Sequence, residues 1–296
     1  FKKKNIAKLA LNIMSQRLKS YQENVYSQCG EDGVIAQIFN IIPEQEVYWC
    51  VEFGAWDGVL HSNTCNLIKN SGWNGVLIEA STKKYKELEA NYSEVGNAIL
   101  VNKKISFEGE DRLDSVLGQT EIPNDFDLLS IDVDGNDYHI WDSMILYKPK
   151  IVIVEFNFTI PSDISYVQKR DFDTNHGNSL LALVNLGKQK GYELVTTTEC
   201  NGFFVRKEYF HLFEIEDNSI DTLWDTQGET PRVMQMYDGT LVLSSDFRMP
   251  WNGRKVGKLD LQKVPKFARQ FGDSTDVSFF KKVLLLVYNR IIKMRE

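Results

Sequence analysis

Strand-like and helix-like segments alternate along the middle of this chain, from about residue 48 to residue 205. Short apolar runs end at acidic residues, Asn or Gly, and amphipathic segments separate these runs. The predicted strands cover 48–53, 75–79, 98–102, 126–131, 151–156, 192–198 and 202–205, and the predicted helices cover 62–70, 81–92, 136–144 and 179–190. Such alternation predicts an α/β fold, a doubly wound and mainly parallel sheet with helices on both faces.

Polar residues end several of the predicted strands. In a parallel sheet the carboxyl ends of the strands meet at one edge, and ligands bind there. The residues expected to gather at that edge are Glu52, Glu79, Asp132, Asp134, Glu155 and Asn157.

The segment VEFGAWDG, residues 51–58, joins the first strand to a tight loop with two glycines. Glycine has no Cβ, so backbone N–H groups in such a loop can approach a nucleotide-like ligand closely. At the end of the second strand, the Glu79 carboxylate can accept both hydroxyls of a ribose, although a solvated strand end would also explain it. The predicted cofactor-binding residues are Glu52, Gly54, Ala55, Asp57, Gly58, Asn63, Glu79 and Asp132.

A second polar segment, IDVDGND at residues 131–137, follows the fourth strand. Carboxylates of Asp132 and Glu155, with the Asn157 amide oxygen, would suit a hard cation such as Mg²⁺ or Mn²⁺. Such an ion could orient a sugar diol and lower the pKa of the attacking hydroxyl. The alternative is that residues 134–137 only cap the next helix.

Three side chains are candidates for proton transfer. Asp134 lies in the acidic segment, His139 in the helix after it, and His176 in a polar loop after the fifth strand. An imidazole titrates near neutral pH and is a common general base. A structural role for either histidine is the alternative.

Composition excludes some classes of protein. The 296 residues carry a formal net charge of −7, which argues against a general nucleic-acid binder. The four cysteines are scattered without a CxxC pair, which argues against a zinc cluster or a disulfide framework and favours a reducing, cytoplasmic location. No apolar run reaches the roughly 20 residues that a membrane span needs.

Both ends of the chain are basic and amphipathic. Lysines accompany helix-spaced apolar residues over 1–25, and basic residues flank the apolar run 283–288. One interpretation is contact with a membrane surface, near a lipid-linked substrate. The other is that both helices pack on the domain or on a partner.

Several segments together resemble the FkbM-like family of S-adenosylmethionine-dependent methyltransferases. They are YSQCGED (26–32), VEFGAWDG (51–58), SNT (62–64), GWNGVLIE (72–79) and IDVDGND (131–137), with weaker matches at 191–195 and 201–205. The resemblance covers roughly residues 26–205. It implies a class I methyltransferase (Rossmann-like) fold, with a seven-stranded sheet whose last strand is antiparallel. It also implies a hydroxyl acceptor on a sugar or a glycosylated natural product.

The resemblance implies roles for particular residues. Glu52 and the 54–58 loop would cradle the amino-acid end of the cofactor, and Glu79 would hold its ribose. Asp132 and Glu155 occupy the positions of cation ligands in metal-dependent O-methyltransferases. The family often has a glutamate where this chain has Asp134.

These features predict an S-adenosylmethionine-dependent O-methyltransferase that acts on a carbohydrate hydroxyl with a divalent cation. The predicted parts are an N-terminal amphipathic helix (1–25), the methyltransferase domain (26–207) and a C-terminal extension (208–296) that could be a lid or bind substrate. The main alternative is a glycosyltransferase whose DxD sequence, 132–134, holds a metal and a nucleotide sugar. A nicotinamide dehydrogenase would need a further glycine in the 54–58 loop, and a non-catalytic binding protein would not need the intact acids.

Overall fold

The chain divides into two compact units, residues 1–226 and 227–296. The computed structural model describes residues 18–160, 162–224, 233–235, 241–243, 247–248, 253, 255–256, 279–280, 283–284, 286–287 and 290. The predicted N-terminal helix and most of the C-terminal extension therefore lie outside the described residues. Among the helices of the described ranges, none is both long and apolar enough to cross a membrane.

Seven strands form one sheet in the first unit, in the order β3-β2-β1-β4-β5-β7-β6. They are β1 (Trp49–Phe53), β2 (Asn74–Glu79), β3 (Ala98–Asn102), β4 (Leu128–Ile131), β5 (Ile151–Glu155), β6 (Tyr192–Thr197) and β7 (Asn201–Arg206). Only β7 runs antiparallel to its neighbours, β5 and β6. The sheet confirms the class I methyltransferase fold, including the antiparallel last strand.

Helices and short antiparallel pairs complete the described elements. The helices are α1 (Glu31–Ile41), α2 (Cys65–Ser71), α3 (Thr82–Asn91), α4 (Leu113–Leu117), α5 (Asp137–Ser143), α6 (Leu180–Lys190), α7 (Lys207–Phe210) and α8 (Ile220–Leu223), with 3₁₀ turns at Gly109–Asp111 and His211–Phe213. In the second unit, β8 (Val233–Gln235) pairs with β9 (Leu241–Leu243), and β10 (Phe247–Arg248) pairs with β11 (Lys255–Val256).

The central strands are mainly apolar because both faces of the sheet are covered. Alternate residues serve two separate cores. Val51 and Phe53 of β1 belong to one core, whereas Cys50, which points to the opposite face of the strand, belongs to the other. The first core also contains Trp224, so the packed interior of this unit extends beyond residue 207.

A buried ion pair lies at the amino ends of β4 and β5, opposite the expected ligand edge. Lys150 Nζ donates to Asp127 Oδ1 at 2.6 Å, and the two side chains are 2% and 3% exposed. The second oxygen of Asp127 accepts the Trp49 N–H at 2.8 Å. The pair therefore links the amino ends of three neighbouring strands, β1, β4 and β5.

Strand register determines where the ligand edge lies. Phe53 of β1 pairs with Ile78 of β2 and with Ile131 of β4, and Ile131 pairs with Val154 of β5. The residues that follow these positions therefore emerge at the same level of the sheet.

Candidate functional site

A cavity of about 560 Å³ opens at the carboxyl edge of the sheet. It is lined by Gln28, Phe53, Gly54, Trp56, Leu60, His61, Ile78, Glu79, Ala80, Lys103, Lys104, Ile105, Asp132, Val133, Asp134, Asn136, Ile140, Glu155 and Phe172. Five of the residues predicted for the site line it, namely Gly54, Glu79, Asp132, Asp134 and Glu155.

Glu79 presents a carboxylate that the backbone holds in place. Its Oε2 accepts the Trp56 N–H at 2.8 Å, and its Oε1 accepts the Ser81 N–H at 2.6 Å. The side chain is 6% exposed, yet it lines the cavity. Each carboxylate oxygen has a second lone pair, so Glu79 retains the capacity to accept two hydroxyls from a ligand.

The 54–58 loop is wound tightly against the protein. The N–H groups of Gly54 and Ala55 both donate to Ile78 O at 3.1 Å, and the Gly58 N–H donates to Ala55 O at 2.7 Å. The Asp57 carboxylate accepts the N–H groups of Val59 and Leu60, at 2.9 and 2.8 Å. The loop therefore gives the cavity its shape, while these N–H groups are already bonded within the protein.

Gly54 is required for a close approach of two backbones. Its φ is 78°, and a Cβ added there would lie 1.7 Å from the carbonyl oxygen of Asp132. Gly58, with φ of 72°, would place a Cβ 2.4 Å from Leu88. Glycine at these positions serves packing as well as the left-handed conformation.

Glu52 is buried and organises the segment after the loop. Its carboxylate accepts the Ser62 hydroxyl at 2.6 Å, the Asn63 N–H at 2.7 Å and the Thr64 hydroxyl at 2.8 Å. Asn63 also donates from Nδ2 to Ser130 Oγ at 3.0 Å. Burial raises the pKa of Glu52, and the three hydrogen bonds partly offset this. In this structure Glu52 and Asn63 support the cavity from behind its lining.

Three carboxylates converge on the other side of the cavity. One oxygen from each of Asp132, Asp134 and Glu155 lies within 4.8 Å of the others, and we call these residues the acidic cluster. Glu155 Oε2 is buried without a hydrogen-bond partner. Asp134 has a left-handed backbone, with φ of 54°, which is uncommon for a residue other than glycine. Carboxylate oxygens that lie close together, one of them without a hydrogen-bond partner, are suitable ligands for a hard cation.

Burial and the charges of neighbouring carboxylates raise the pKa values of Asp132 and Glu155. The Asp132 side chain is accessible to solvent, but the surrounding cavity wall desolvates it, and with Asp134 nearby its pKa rises to about 6. Desolvation, followed by repulsion from Asp132, raises the pKa of Glu155 to about 11. Glu155 therefore keeps its proton at neutral pH, and binding of a cation would displace that proton to solvent.

Asp137 supports the acidic cluster from below. It is fully buried, and its two oxygens accept the N–H groups of Val133 and Gly135, each at 2.9 Å. Burial and the nearby charge of Asp132 raise the pKa of Asp137 to about 7. Its role in this structure is to hold the turn that aims Asp132 and Asp134.

Eight predicted site residues do not line the cavity. Five of them, Glu52, Ala55, Asp57, Gly58 and Asn63, belong to the loop and the wall behind the lining, and the other three have contacts elsewhere. Asn157 uses its side-chain oxygen to accept from the N–H and hydroxyl of Thr159, at 3.0 and 2.6 Å, so the structure does not bring it into the acidic cluster. His139 Nε2 contacts Gln168 O at 2.9 Å. The exposed His176 contacts the Tyr166 hydroxyl through Nδ1 at 3.2 Å. A polar residue near a strand end need not face the ligand, because the following loop sets its direction.

Several cavity residues were not among the sequence predictions. His61 lines the cavity and has a left-handed backbone, with φ of 61°. Lys103 and Lys104 follow β3, whose carboxyl end reaches the same edge, so their position was a usable signal. Phe172 lies far along the chain and stacks on Phe107 at 5.1 Å between ring centroids. No sequence pattern pointed to Phe172.

The segment YSQCGED places Gln28 at the cavity. Asp32 Oδ2 accepts three backbone N–H groups, those of residues 25, 26 and 27, each at 2.8 Å. The Ser27 hydroxyl in turn accepts the Asp32 N–H at 3.0 Å. These hydrogen bonds fix the backbone immediately before Gln28, which explains why Asp32 occurs in this segment.

Comparison with protein families agrees with the resemblance. Residues 108–194 match the model of the Methyltransferase FkbM domain. No curated protein matches the chain. The family match supports an S-adenosylmethionine-dependent methyltransferase and does not favour the glycosyltransferase alternative.

Solved methyltransferase structures also match the chain. A SAM-dependent methyltransferase from Aquifex aeolicus is 8% identical with a TM-score of 0.38, over 64% of this chain and 97% of that one. The N-terminal domain of EvdMO1, solved in the presence of SAH and D-fucose, is 11% identical with a TM-score of 0.39, over 65% and 93%. PKMT2 from Rickettsia typhi, in complex with AdoHcy, is 18% identical with a TM-score of 0.32, over 45% of this chain and 25% of that one. The chain thus spans a quarter of the length of PKMT2.

Proposed function

We propose that this chain is an S-adenosylmethionine-dependent O-methyltransferase. It would transfer a methyl group to a hydroxyl of a sugar or of a glycosylated small molecule, with Mg²⁺ or Mn²⁺ assisting. The observation behind the proposal is that Glu79 and the acidic cluster line the same cavity at the carboxyl edge of the sheet. One side of the cavity suits a ribose, and the other suits a hydroxyl that must lose its proton.

The residues of the cavity fit the cofactor. Glu79, fixed by two backbone N–H groups, would hold the ribose hydroxyls. Gly54 keeps the floor open, since any larger residue would displace Asp132. Ala55, Asp57 and Gly58 keep the loop in shape, and Glu52 and Asn63 hold the wall behind it. When bound, S-adenosylmethionine would supply the electrophilic methyl group. The chain's task is then to align the acceptor oxygen with that group.

The acidic cluster fits both a cation and a proton acceptor. Asp132, Asp134 and Glu155 would hold the ion, and Glu155 Oε2 has no other partner. A cation there would stabilise negative charge on an acceptor oxygen. Asp134 is the proton acceptor that we favour, because it lines the cavity while His139 and His176 have contacts elsewhere. Carboxylates also accept hydrogen bonds from sugar hydroxyls, which supports a carbohydrate substrate.

The remaining predictions form part of the same proposal. A cavity with three clustered carboxylates would repel nucleic acid, which is consistent with a small carbohydrate acceptor. We assign the methyltransferase activity to the domain predicted over 26–207, whose core also includes Trp224, with the rest of 208–296 as an extension, and the location to the cytoplasm. Contact of the basic terminal segments with a membrane surface would place the enzyme near a lipid-linked glycan.

Calorimetric titration tests the choice of cofactor. S-Adenosylhomocysteine, a UDP-sugar and NAD would each be titrated into the full chain, with and without Mn²⁺. We expect micromolar binding of S-adenosylhomocysteine alone. If only the UDP-sugar bound, and only with Mn²⁺, the methyltransferase proposal would be wrong.

A second titration tests the cation. Mn²⁺ should bind the wild-type chain, and Asp134→Asn should weaken that binding at least about 10-fold, because a ligand is lost. Asp125→Asn, an exposed residue away from the cavity, is the matched control and should bind Mn²⁺ normally. Equal Mn²⁺ binding by both variants would refute the assignment of the acidic cluster. Transfer of a labelled methyl group to a panel of sugars would then identify the acceptor.

A further inference from the structure

Two cysteines that are 171 positions apart in the sequence meet in the folded chain. Cys29 precedes α1, and Cys200 lies in the turn between β6 and β7. Glu31, in the first turn of α1, completes the group. One donor atom from each of these three residues lies within 4.8 Å of the others. The scattered cysteines of the sequence, which argued against a zinc cluster, gave no sign of this meeting.

The three donor atoms are spaced almost as a tetrahedral metal site requires. Zinc–sulfur bonds of about 2.3 Å place two thiolates about 3.8 Å apart. Because the two sulfurs lie within 4.8 Å of each other, a contraction of about 1 Å or less would bring them to this spacing. A fourth donor is near, because Cys29 Sγ lies 3.8 Å from Glu199 Oε2. Glu199 is exposed and can turn toward the site.

Glu31 is a buried carboxylate without a cationic partner in the described part of the chain. It is 1% exposed, and its hydrogen-bond donors are all neutral. Its Oε1 accepts Thr198 Oγ1 at 2.6 Å and Asn201 Nδ2 at 3.1 Å, and its Oε2 accepts only the Cys29 N–H, at 2.7 Å. None of the ion pairs among the described residues includes Glu31 or Glu199. Buried charges are normally paired or coordinate a metal.

The surroundings already fix the direction of these ligands. Thr198 and Asn201 hold the Glu31 carboxylate, as outer-shell partners do in metal sites. The Phe156 N–H donates to Cys200 O at 2.8 Å, which fixes the β6–β7 turn against the end of β5. A metal here would need little rearrangement of the backbone.

The geometry points to a structural site for a thiolate-binding divalent cation, with Zn²⁺ as the expected occupant, formed by Cys29, Glu31 and Cys200 with Glu199 or water as the fourth ligand. Sulfur ligands select zinc over Mg²⁺ and Mn²⁺, so this site is chemically distinct from the acidic cluster. It would join α1 to the last hairpin of the sheet. Because Gln28 lines the cavity, the bound ion would also steady one cavity wall.

Cobalt substitution tests the site in the full wild-type chain. Reduced protein, stripped with a chelator, would be titrated with Co²⁺ and then with Zn²⁺. We expect a thiolate-to-cobalt charge-transfer band in the near ultraviolet that saturates at one equivalent and is abolished by one equivalent of Zn²⁺. Cobalt held only by the acidic cluster would give no such band, since its ligands are all oxygen. Absence of the band would overturn the proposal.

Variants assign the ligands. Cys29→Ser and Cys200→Ser should each lose at least half of the band's intensity and bind Zn²⁺ more than about 100-fold more weakly, since a lost ligand matters at least as much as an outer-shell partner. Cys65→Ala removes a buried thiol elsewhere and should keep both properties. A band of undiminished intensity in Cys29→Ser, or the loss of the band in Cys65→Ala, would contradict the assignment.

A labelling experiment covers the case in which the serine variants do not fold. Zn²⁺ should slow alkylation of Cys29 in the native wild-type chain at least about 10-fold, because a bound thiolate is no longer free to react. Unchanged alkylation would refute the site. Recovery of a Cys29–Cys200 disulfide, with no zinc retained from the cells, would also refute it and assign the pair to oxidation instead.

Discussion

At the scale of single residues, Glu79 is the side chain on which cofactor binding should depend most directly. We expect Glu79→Gln to weaken binding of S-adenosylhomocysteine by about 10- to 100-fold, because the amide has one acceptor oxygen for two backbone donors and a ligand. Titration calorimetry measures this. Glu89→Gln, an exposed change in α3, is the control and should bind normally. Equal affinity in both variants would remove Glu79 from the cofactor site.

Glu155 should make the stability of the metal-free chain depend on pH. Its pKa is raised to about 11, whereas a glutamate in an unfolded chain has an ordinary pKa of 4.5. The native state therefore binds more protons between these values, and its free energy of unfolding falls as pH rises through this window. Glu155→Gln stays neutral and should be more stable than wild type by about 1–2 kcal/mol at pH 8, with a smaller difference at pH 5. Urea unfolding at both pH values checks the sign, and a wild type that gains stability with pH relative to the variant would contradict it.

The sequence predicted the residues whose direction follows from a strand. Glu79 and Glu155 end β2 and β5, and Asp132 comes directly after β4, so strand pleat and register determine where they point. Asn157 and His176 were predicted at the same edge, but loop backbone turns both side chains toward other protein groups. Loop conformation depends on hydrogen bonds that have no local pattern in the sequence.

At the scale of secondary-structure elements, the junction after β1 depends on a missing side chain. Gly54→Ala should destabilise the chain by about 3 kcal/mol or more, because left-handed strain adds to a collision with Asp132 O. Gly72→Ala is a matched control, since Gly72 has a similar φ of 73° but open space around the added Cβ. It should cost about 1–2 kcal/mol. Urea unfolding compares the two, and equal losses would show that the close approach is unimportant.

The turn before α1 depends on a single carboxylate. Asp32→Ala would leave three N–H groups without their acceptor, so we expect a loss of about 2–4 kcal/mol in the free energy of unfolding. Asp163→Ala, at an exposed position, should change stability by less than about 0.5 kcal/mol. Thermal unfolding of both variants checks this. A near-neutral Asp32→Ala would mean that water replaces the carboxylate.

The strands and the longer helices between them were predictable because their apolar spacing is local. Ser81 and Ser179 accept the N–H groups of Lys84 and Ala182, and such caps are visible in a sequence. The helix predicted from residue 62 begins instead at Cys65, because Ser62 and Thr64 are held by Glu52. Short α4 was not predicted, since five residues do not establish a helical period.

At the scale of the whole molecule, the first unit should fold and bind cofactor without the second. Among the residues that the structure describes, those that line the cavity all lie between 28 and 172. We expect a fragment of residues 18–226 to unfold cooperatively and to bind S-adenosylhomocysteine within about 10-fold of the full chain, since a factor of 10 corresponds to about 1.4 kcal/mol. Calorimetry and circular dichroism provide the measurements.

A shorter fragment, 18–215, is the informative comparison. It lacks α8 and Trp224, whose ring contacts Phe156 at 5.3 Å between centroids. Losing a buried tryptophan typically costs about 3–5 kcal/mol, so this fragment should be markedly less stable than 18–226. Equal stability would mean that the core ends near residue 207, as the predicted domain boundary has it.

Global topology was predictable only in part. Alternation indicated a parallel sheet with covered faces, but strand order and the antiparallel β7 were implied by the family resemblance, not by periodicity. Contacts such as that between Cys29 and Cys200 depend on which distant segments the fold brings together, and no local sequence pattern predicts them. Contacts between residues far apart in the chain are therefore the hardest feature to predict from a single sequence.

The buried pair of Asp127 and Lys150 constrains how this sequence can drift over generations. Losing either partner leaves a lone charge in the interior and costs about 3–5 kcal/mol, whereas two apolar side chains of similar volume can be tolerated. A change from the charged pair to an apolar pair, one substitution at a time, therefore passes through a destabilised variant of low fitness. A library randomised at both positions and selected for folded protein should return charged pairs and apolar pairs, with lone charges nearly absent. The charged pair would then persist in evolution because each single substitution is selected against, even where the pair adds nothing to stability.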